Sequence, residues 1–206
     1  LGHMDSQVYH SSNLKDLSCK LIALSQRLGV PLQSLLLAAH TKVLTMLSGQ
    51  SRILTSVVIN GRPETEGGDK GLGLFLNSMP TCFEADSQSW SELIQSVSHT
   101  MTESMQYRHY PLSAVQRDTG QKYNEVIFNY THFHAYKAMQ DSEETILLDG
   151  QGVEETNFDL DVNFSRSVTT DVISLSFRFN SSVYTAELIE RIGQYYANVF
   201  KQIVTH

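Results

Sequence analysis

A chain of 206 residues is long enough for one domain with its own core. Apolar residues at 41% and charged residues at 18% exclude a disordered chain, and no apolar run reaches the length of a bilayer span. The formal net charge of -7 argues against a general nucleic-acid binder.

Cys19 and Cys82 cannot supply a disulfide framework or a thiolate metal site, so they are expected as reduced, packed thiols of a cytoplasmic protein. The N-terminus lacks a basic region followed by an apolar one, so no secretory signal is expected. Leu1-Gly2-His3-Met4 reads as a cloning scar, which leaves residues 5–206 as the domain.

In chain order, Asn13 caps a predicted helix to about Leu28, with leucines at 14, 17, 21, 24 and 28 and Gly29 as its stop. Pro31 opens a second helix ending at Gly49, whose wide apolar arc predicts burial on most sides. Ile53 to Ile59 is β-branched and nearly continuous in apolar character, as in a central strand. The polar, glycine-rich stretch 64–71 reads as a loop. Leu72 to Phe83 returns as an extended segment interrupted at Pro80.

Ser89 begins a third helix, with Trp90, Leu93, Ile94, Val97, Met101 and Met105 expected in the core. Pro111 opens a short helix to about Asp118, and Glu125 to Phe133 reads as a strand. Residues 137–144 are polar and read as a loop. Two alternating strands follow, one with Leu160, Val162 and Phe164 on one face, the other with Ile173, Leu175, Phe177 and Phe179. Thr185 caps a last helix bearing Leu188, Ile192, Tyr196, Val199 and Ile203. The order lacks the regular alternation of a doubly wound sheet. It predicts an α/β (α+β) fold: a mixed sheet with helices mainly on one face.

Four stretches in sequence carry a family resemblance: Val57 to Pro63 with its Gly-Arg-Pro turn, Gly73 to Pro80, Tyr107 to Leu112, and Glu125 to Tyr130. Together with the helix from Pro31 to Leu47, they resemble the C-terminal lobe of a nonribosomal peptide synthetase condensation domain, from about residue 13 onward. The resemblance implies a chloramphenicol-acetyltransferase-like lobe. Two such lobes enclose a tunnel, into which carrier proteins bring a donor thioester and an acceptor amine on phosphopantetheine arms. An amide forms between them, an acyltransferase chemistry that needs confinement and positioning.

Implied partners are the N-terminal lobe of the same domain, peptidyl or acyl carrier proteins and an adjacent adenylation domain. No nucleic acid, no membrane and no directly bound cofactor or metal are implied. The family's His-His-x-x-x-Asp-Gly motif belongs to the N-terminal lobe, and none of His3, His10, His40, His99, His109, His132, His134 or His206 stands in such a motif. No catalytic residue is therefore assigned, and the chain alone is expected to be inactive. Thr131-His132-Phe133-His134 is more similar to the condensation branch than to the related epimerization domains.

The resemblance gives Arg62, after Gly61, a role in pairing across the lobes with the aspartate of the histidine motif; read without it, Arg62 is a solvated turn residue. Asn77 either pins a loop at the tunnel floor or caps a strand end. Asn129, His132, Asp159 and Asn163 are tunnel or substrate-contact candidates. His132 and His134 share a strand face, yet two imidazoles fall short of the usual three or four metal ligands; tunnel mouth and ordinary strand surface both remain open. Asp159, Asp161, Asn163 and Ser165 form a polar stripe that suits acid–base work or, more commonly, a solvated face. Two other functions fit: a non-catalytic module that docks a carrier protein, and a stand-alone acyltransferase using His109 or His132 as base.

Overall fold

The computed structural model describes residues 5–11, 14–62, 72–86, 89–131 and 157–205. Leu1-Gly2-His3-Met4, Asn13, Pro63, the 64–71 loop, His132, His134 and the 137–144 loop lie outside the described residues. The elements are β1 (Ser6–Ser11), α1 (Ser18–Leu28), α2 (Leu32–Ser48), β2 (Arg52–Asn60), β3 (Leu76–Glu84), α3 (Trp90–Ser104), α4 (Leu112–Thr119), β4 (Val126–Thr131), β5 (Leu160–Arg166), β6 (Ile173–Asn180) and α5 (Ala186–Thr205). Six strands form one sheet in the order β1-β6-β5-β4-β2-β3. β2, β4 and β5 run parallel, and the remaining pairs are antiparallel.

Alternation decides which face is covered. Along β6, Ile173, Leu175, Phe177 and Phe179 are buried in the core, while Ser174 is exposed and Ser176 and Arg178 are half-buried. Helices α1, α2, α3 and α5 pack with one another over the apolar face, as the sequence predicts for a mixed sheet covered on one side. Helix α2 is enclosed by the other helices and by β2, which explains its buried run from Ser34 to Thr41. Gly193 lets α5 sit close to β1 and β6: a Cβ there would lie 3.4 Å from the Tyr9 ring and 3.5 Å from Phe177. Ser18 Oγ donates to the Leu14 carbonyl and accepts from the Ile173 N–H, both at 2.9 Å, so the start of α1 is tied to β6. Among the described residues no single helix is long and apolar enough to cross a membrane.

Two expectations are corrected. Pro80 does not interrupt its strand; it sits inside β3 opposite Ser56. β3 is a sheet edge, where a residue without an N–H is tolerated. Cys19 and Cys82 are free but exposed, not packed, and Cys82 Sγ accepts from Arg52 Nε at 3.2 Å. The strand β1 carries no apolar run in sequence; only Tyr9 packs against the core from it.

At the centre lies a polar chain that periodicity does not disclose. His40 of α2 is fully buried between Tyr196 of α5 and Thr55 of β2. Its Nδ1 lies 2.6 Å from the Tyr196 hydroxyl and its Nε2 lies 3.0 Å from Thr55 Oγ1. Thr55 in turn donates to the Val126 carbonyl at 3.3 Å. One proton order satisfies every member: Tyr196 donates to Nδ1, Nε2–H donates to Thr55, and Thr55 donates to Val126. The imidazole is neutral, because burial pushes its pKa down from 6.5 to about 3. Burial also raises the Tyr196 hydroxyl, which stays protonated.

The linkage has a definite sign. Between about pH 6.5 and 3 the unfolded chain binds a proton at His40 that the folded chain refuses. This contribution is complete above pH 6.5 and is lost as the pH falls through that window. Urea unfolding is expected to show a wild-type loss of about 2 kcal/mol from this group between pH 6.5 and 5. A His40→Gln variant should lack that component, and equal pH slopes would refute a neutral buried His40. Tyr196→Phe should cost about 1–3 kcal/mol, because Nδ1 is left buried without a donor.

Candidate functional site

The buried side chains of Val57 and Ile59 carry β2 to its end at Asn60. Asn60 Oδ1 accepts from the Arg62 N–H at 2.9 Å, which turns the chain sharply. The Gly61 N–H donates to the Phe75 carbonyl at 2.7 Å, so the segment entering β3 lies directly beside this turn. A side chain at residue 61 would be tightly placed. A Cβ there would stand 3.3 Å from His109 Nδ1 and 3.3 Å from the Phe75 oxygen. The Arg62 guanidinium lies over the Phe75 ring, 4.3 Å from its centroid, a cation–π contact.

Asn77 completes the cluster. Its Nδ2 donates to the carbonyls of Arg108 at 3.1 Å and Tyr110 at 2.8 Å, and its Oδ1 accepts from the Ser78 N–H at 3.0 Å. The amide thus grips the turn before α4 on both sides of His109. Of its two sequence-level roles, loop pinning is the one the geometry supports. The turn is fastened again at Tyr110, whose hydroxyl donates to Asp118 of α4. That hydrogen bond and the carboxylate charge hold the Tyr110 hydroxyl above its usual pKa. An open cavity of about 310 Å³ borders the same turn, lined by Met79, Cys82, Thr100, Ser104, Tyr107 and Val115 among others. Arg62 and Asn129 do not line it.

The sheet face opposite the helices holds Asn129 and Asn163. Asn129 and Asn163 are register partners on parallel β4 and β5, and Asn129 Nδ2 donates to Asn163 Oδ1 at 2.9 Å. Within the stripe Asp161 is only 8% exposed, Asp159 and Asn163 are half-buried and Ser165 is exposed. Asp159 stands apart from the cluster. It precedes β5, whereas Gly61 and Arg62 follow β2, and the intervening strands are parallel; Asp159 and Arg62 therefore lie at opposite ends of the sheet. Asp159 Oδ1 accepts from Asn180 Nδ2 at 3.1 Å, which closes the β5–β6 pairing. His132 and His134 lie outside the described residues.

Sequence reasoning missed the Phe75 platform under Arg62 and the seat of His109 against Gly61. The signal was present in part, since His109 falls within one of the resembling stretches. Only the fold brings that stretch to the Gly-Arg-Pro turn.

The family model for the condensation domain matches residues 7–206. The AMB antimetabolite synthetase AmbE of Pseudomonas aeruginosa is 30% identical over 86% of this chain, and gramicidin S synthase 2 of Aneurinibacillus migulanus is 27% identical over 73%. These matches span 8% and 4% of those proteins, so the chain covers a small part of the curated relatives it resembles. A four-domain nonribosomal peptide synthetase structure, holo-AB3403, superposes with a TM-score of 0.81 at 16% identity over 99% of this chain and 17% of that one. The condensation domain of the monacolin K polyketide synthase MokA superposes at 0.79 with 16% identity, covering 99% of this chain and 48% of the other. At such identities the superpositions establish the fold alone, the mixed α/β sheet with helices mainly on one face that is expected from sequence. With its family model matched from near its first strand to its last helix, the chain belongs to the condensation-domain family.

Proposed function

We propose that residues 5–206 form the C-terminal lobe of a nonribosomal peptide synthetase condensation domain, which joins a donor thioester to an acceptor amine. The observation that carries this reading is the convergence of three resembling stretches on one point. Gly61 and Arg62, Phe75 and Asn77, and the turn around His109 meet beyond the end of β2. Arg62 is half-buried, and its stacking on Phe75 limits the directions in which it can reach. In the proposed assembly it faces the N-terminal lobe and pairs with the aspartate of that lobe's histidine motif. The substrates arrive on phosphopantetheine arms of carrier proteins, and an adenylation domain loads them. In this assembly Asn129 and Asn163 contribute polar groups to the tunnel wall, while Asp159 serves the sheet.

The entry to β3 supports a partner lobe. Leu72, Leu74 and Leu76 are 101%, 86% and 60% exposed, whereas Phe75 between them is half-buried under Arg62. Alternating leucines exposed to this degree on one extended segment mark a surface that another chain segment covers. The N-terminal lobe is the occupant we assign. Full burial of a leucine is worth about 1.5–3 kcal/mol, so these contacts are strong enough to hold two lobes in register.

The chain alone is expected to form no amide between two carrier-bound aminoacyl groups, as followed by mass spectrometry. Addition of a separately made N-terminal lobe carrying the histidine motif should restore product. Carrier-protein binding without product from the lobe pair would favour a docking module instead, and product from the chain alone would overturn the assignment of catalysis to the other lobe.

Arg62→Ala should destabilise the isolated chain by about 0.5–2 kcal/mol, the scale of a half-buried cation–π contact. In the two-lobe protein it should slow condensation, and Arg62→Lys should rescue poorly because an ammonium lacks the planar fork that grips a carboxylate. Equal rates for all three would make Arg62 a turn residue only.

Leu72→Ser with Leu74→Ser should leave the thermal midpoint of the isolated chain nearly unchanged, since both side chains are exposed. The same pair should weaken association with the N-terminal lobe in sedimentation experiments. A large loss of midpoint would place these leucines in the lobe's own core.

A further inference from the structure

We propose that His109 is a positioning residue: its ring is the seat on which the Gly61–Arg62 turn rests, and it sets the direction of the Arg62 guanidinium. The inference rests on the condensation reading of Arg62 given above. It assigns His109 no proton transfer, in contrast to the base that a stand-alone acyltransferase would require of it.

The geometry is specific. Gly61 is held on one side by its hydrogen bond to Phe75, 2.7 Å from N to O. On another side it meets the His109 ring, with Nδ1 3.3 Å and Cε1 3.7 Å from the place a Cβ would occupy. The seat itself is fixed. Asn77 binds the carbonyls of Arg108 and Tyr110, the residues immediately flanking His109, and Tyr110 is tied onward to Asp118. The His109 backbone therefore has little freedom, although its side chain is exposed on the outer side. Phe75 acts twice, accepting from Gly61 through its carbonyl and carrying Arg62 on its ring. Removing the imidazole takes away one of the contacts at Gly61, leaving its hydrogen bond to Phe75 and the Asn60–Arg62 bond of the turn. Glycine has the widest backbone freedom of any residue, so the turn should then sample several orientations and carry Arg62 with it. Small displacements of a group that supports a reacting centre translate into large rate losses.

The experiment has two parts. In the isolated chain, hydrogen exchange of the Gly61 amide is compared between wild type and His109→Ala. Faster exchange is expected, and unchanged protection overturns the seat regardless of any catalytic role. In the complete two-lobe protein, kcat and KM for carrier-bound substrates are measured for His109→Ala, His109→Phe, Arg62→Ala and the His109→Ala/Arg62→Ala pair. His109→Ala should lower kcat about tenfold with KM and thermal midpoint unchanged. His109→Phe keeps a flat ring without titratable nitrogens and should restore most of the rate. In the Arg62→Ala background, loss of His109 should have no further effect, because the two act as a unit. A fully active His109→Ala beside a slow Arg62→Ala would refute the positioning role alone. A His109→Phe variant as slow as alanine would show that a ring nitrogen is needed and would replace positioning by proton chemistry. Full activity of Arg62→Ala would instead remove the reading on which the proposal rests.

Discussion

The fold depends on one histidine that is buried away from water and neutral near pH 7. His40 lies in the middle of a leucine- and alanine-rich helix, and both ring nitrogens require partners. Those partners come from β2 and from α5, elements far apart in the chain. An apolar contact tolerates sliding, but a buried hydrogen-bonded chain loses its partners within a fraction of an ångström. The chain Tyr196–His40–Thr55–Val126 therefore fixes the register of two helices against two neighbouring strands. The rings of Phe128 and Tyr196 stack around it and exclude water.

That register decides where β2 ends. The same strand that satisfies His40 through Thr55 delivers Asn60, Gly61 and Arg62 to the cluster with Phe75, Asn77 and His109. The cluster then relies on main-chain groups: Asn77 binds two carbonyls and Gly61 binds one. Side chains can vary around such a framework without moving it. The sheet face opposite the helices follows another rule. There Asn129 and Asn163 meet across parallel strands, a neutral pair that can bond with each other and still offer a donor and an acceptor.

Much of the fold was legible because caps and periods agree with one another. Gly29 and Gly49 end α1 and α2, and Ser89 with Glu92 forms a complete capping box at α3. The strict alternation in β6 gives its inner face directly. What was hidden needed tertiary information. β1 is mostly polar because it pairs only through β6 and offers little more than Tyr9 to the core. Pro80 is tolerated because β3 happens to be an edge. At the site, Gly61, Arg62 and Asn77 were marked by resemblance, and the partners of Asn77 were not, since carbonyls leave no mark in a sequence. The place of Asp159 was hidden for a related reason: alternation gives the face of a strand but says nothing about which end of a sheet a residue occupies.

The pairing of β1 with β6 bears on how the chain is made. Ser6 lies opposite Asn180, so this strand is made well before its partner, and the other strands of the sheet lie between the two in the chain. Until then it has no ladder, and the apolar face of α5 that packs beside it does not yet exist. The closing of such a long loop carries a large entropic cost and slows the final step. Folding from the middle outward, with β1 added last, leaves β1 without its ladder while β2 to β6 are made, and leaves the β6 edge open until β1 docks. A cell that makes several such domains in series holds several open edges near one another, and that is the condition under which strands exchange between neighbours.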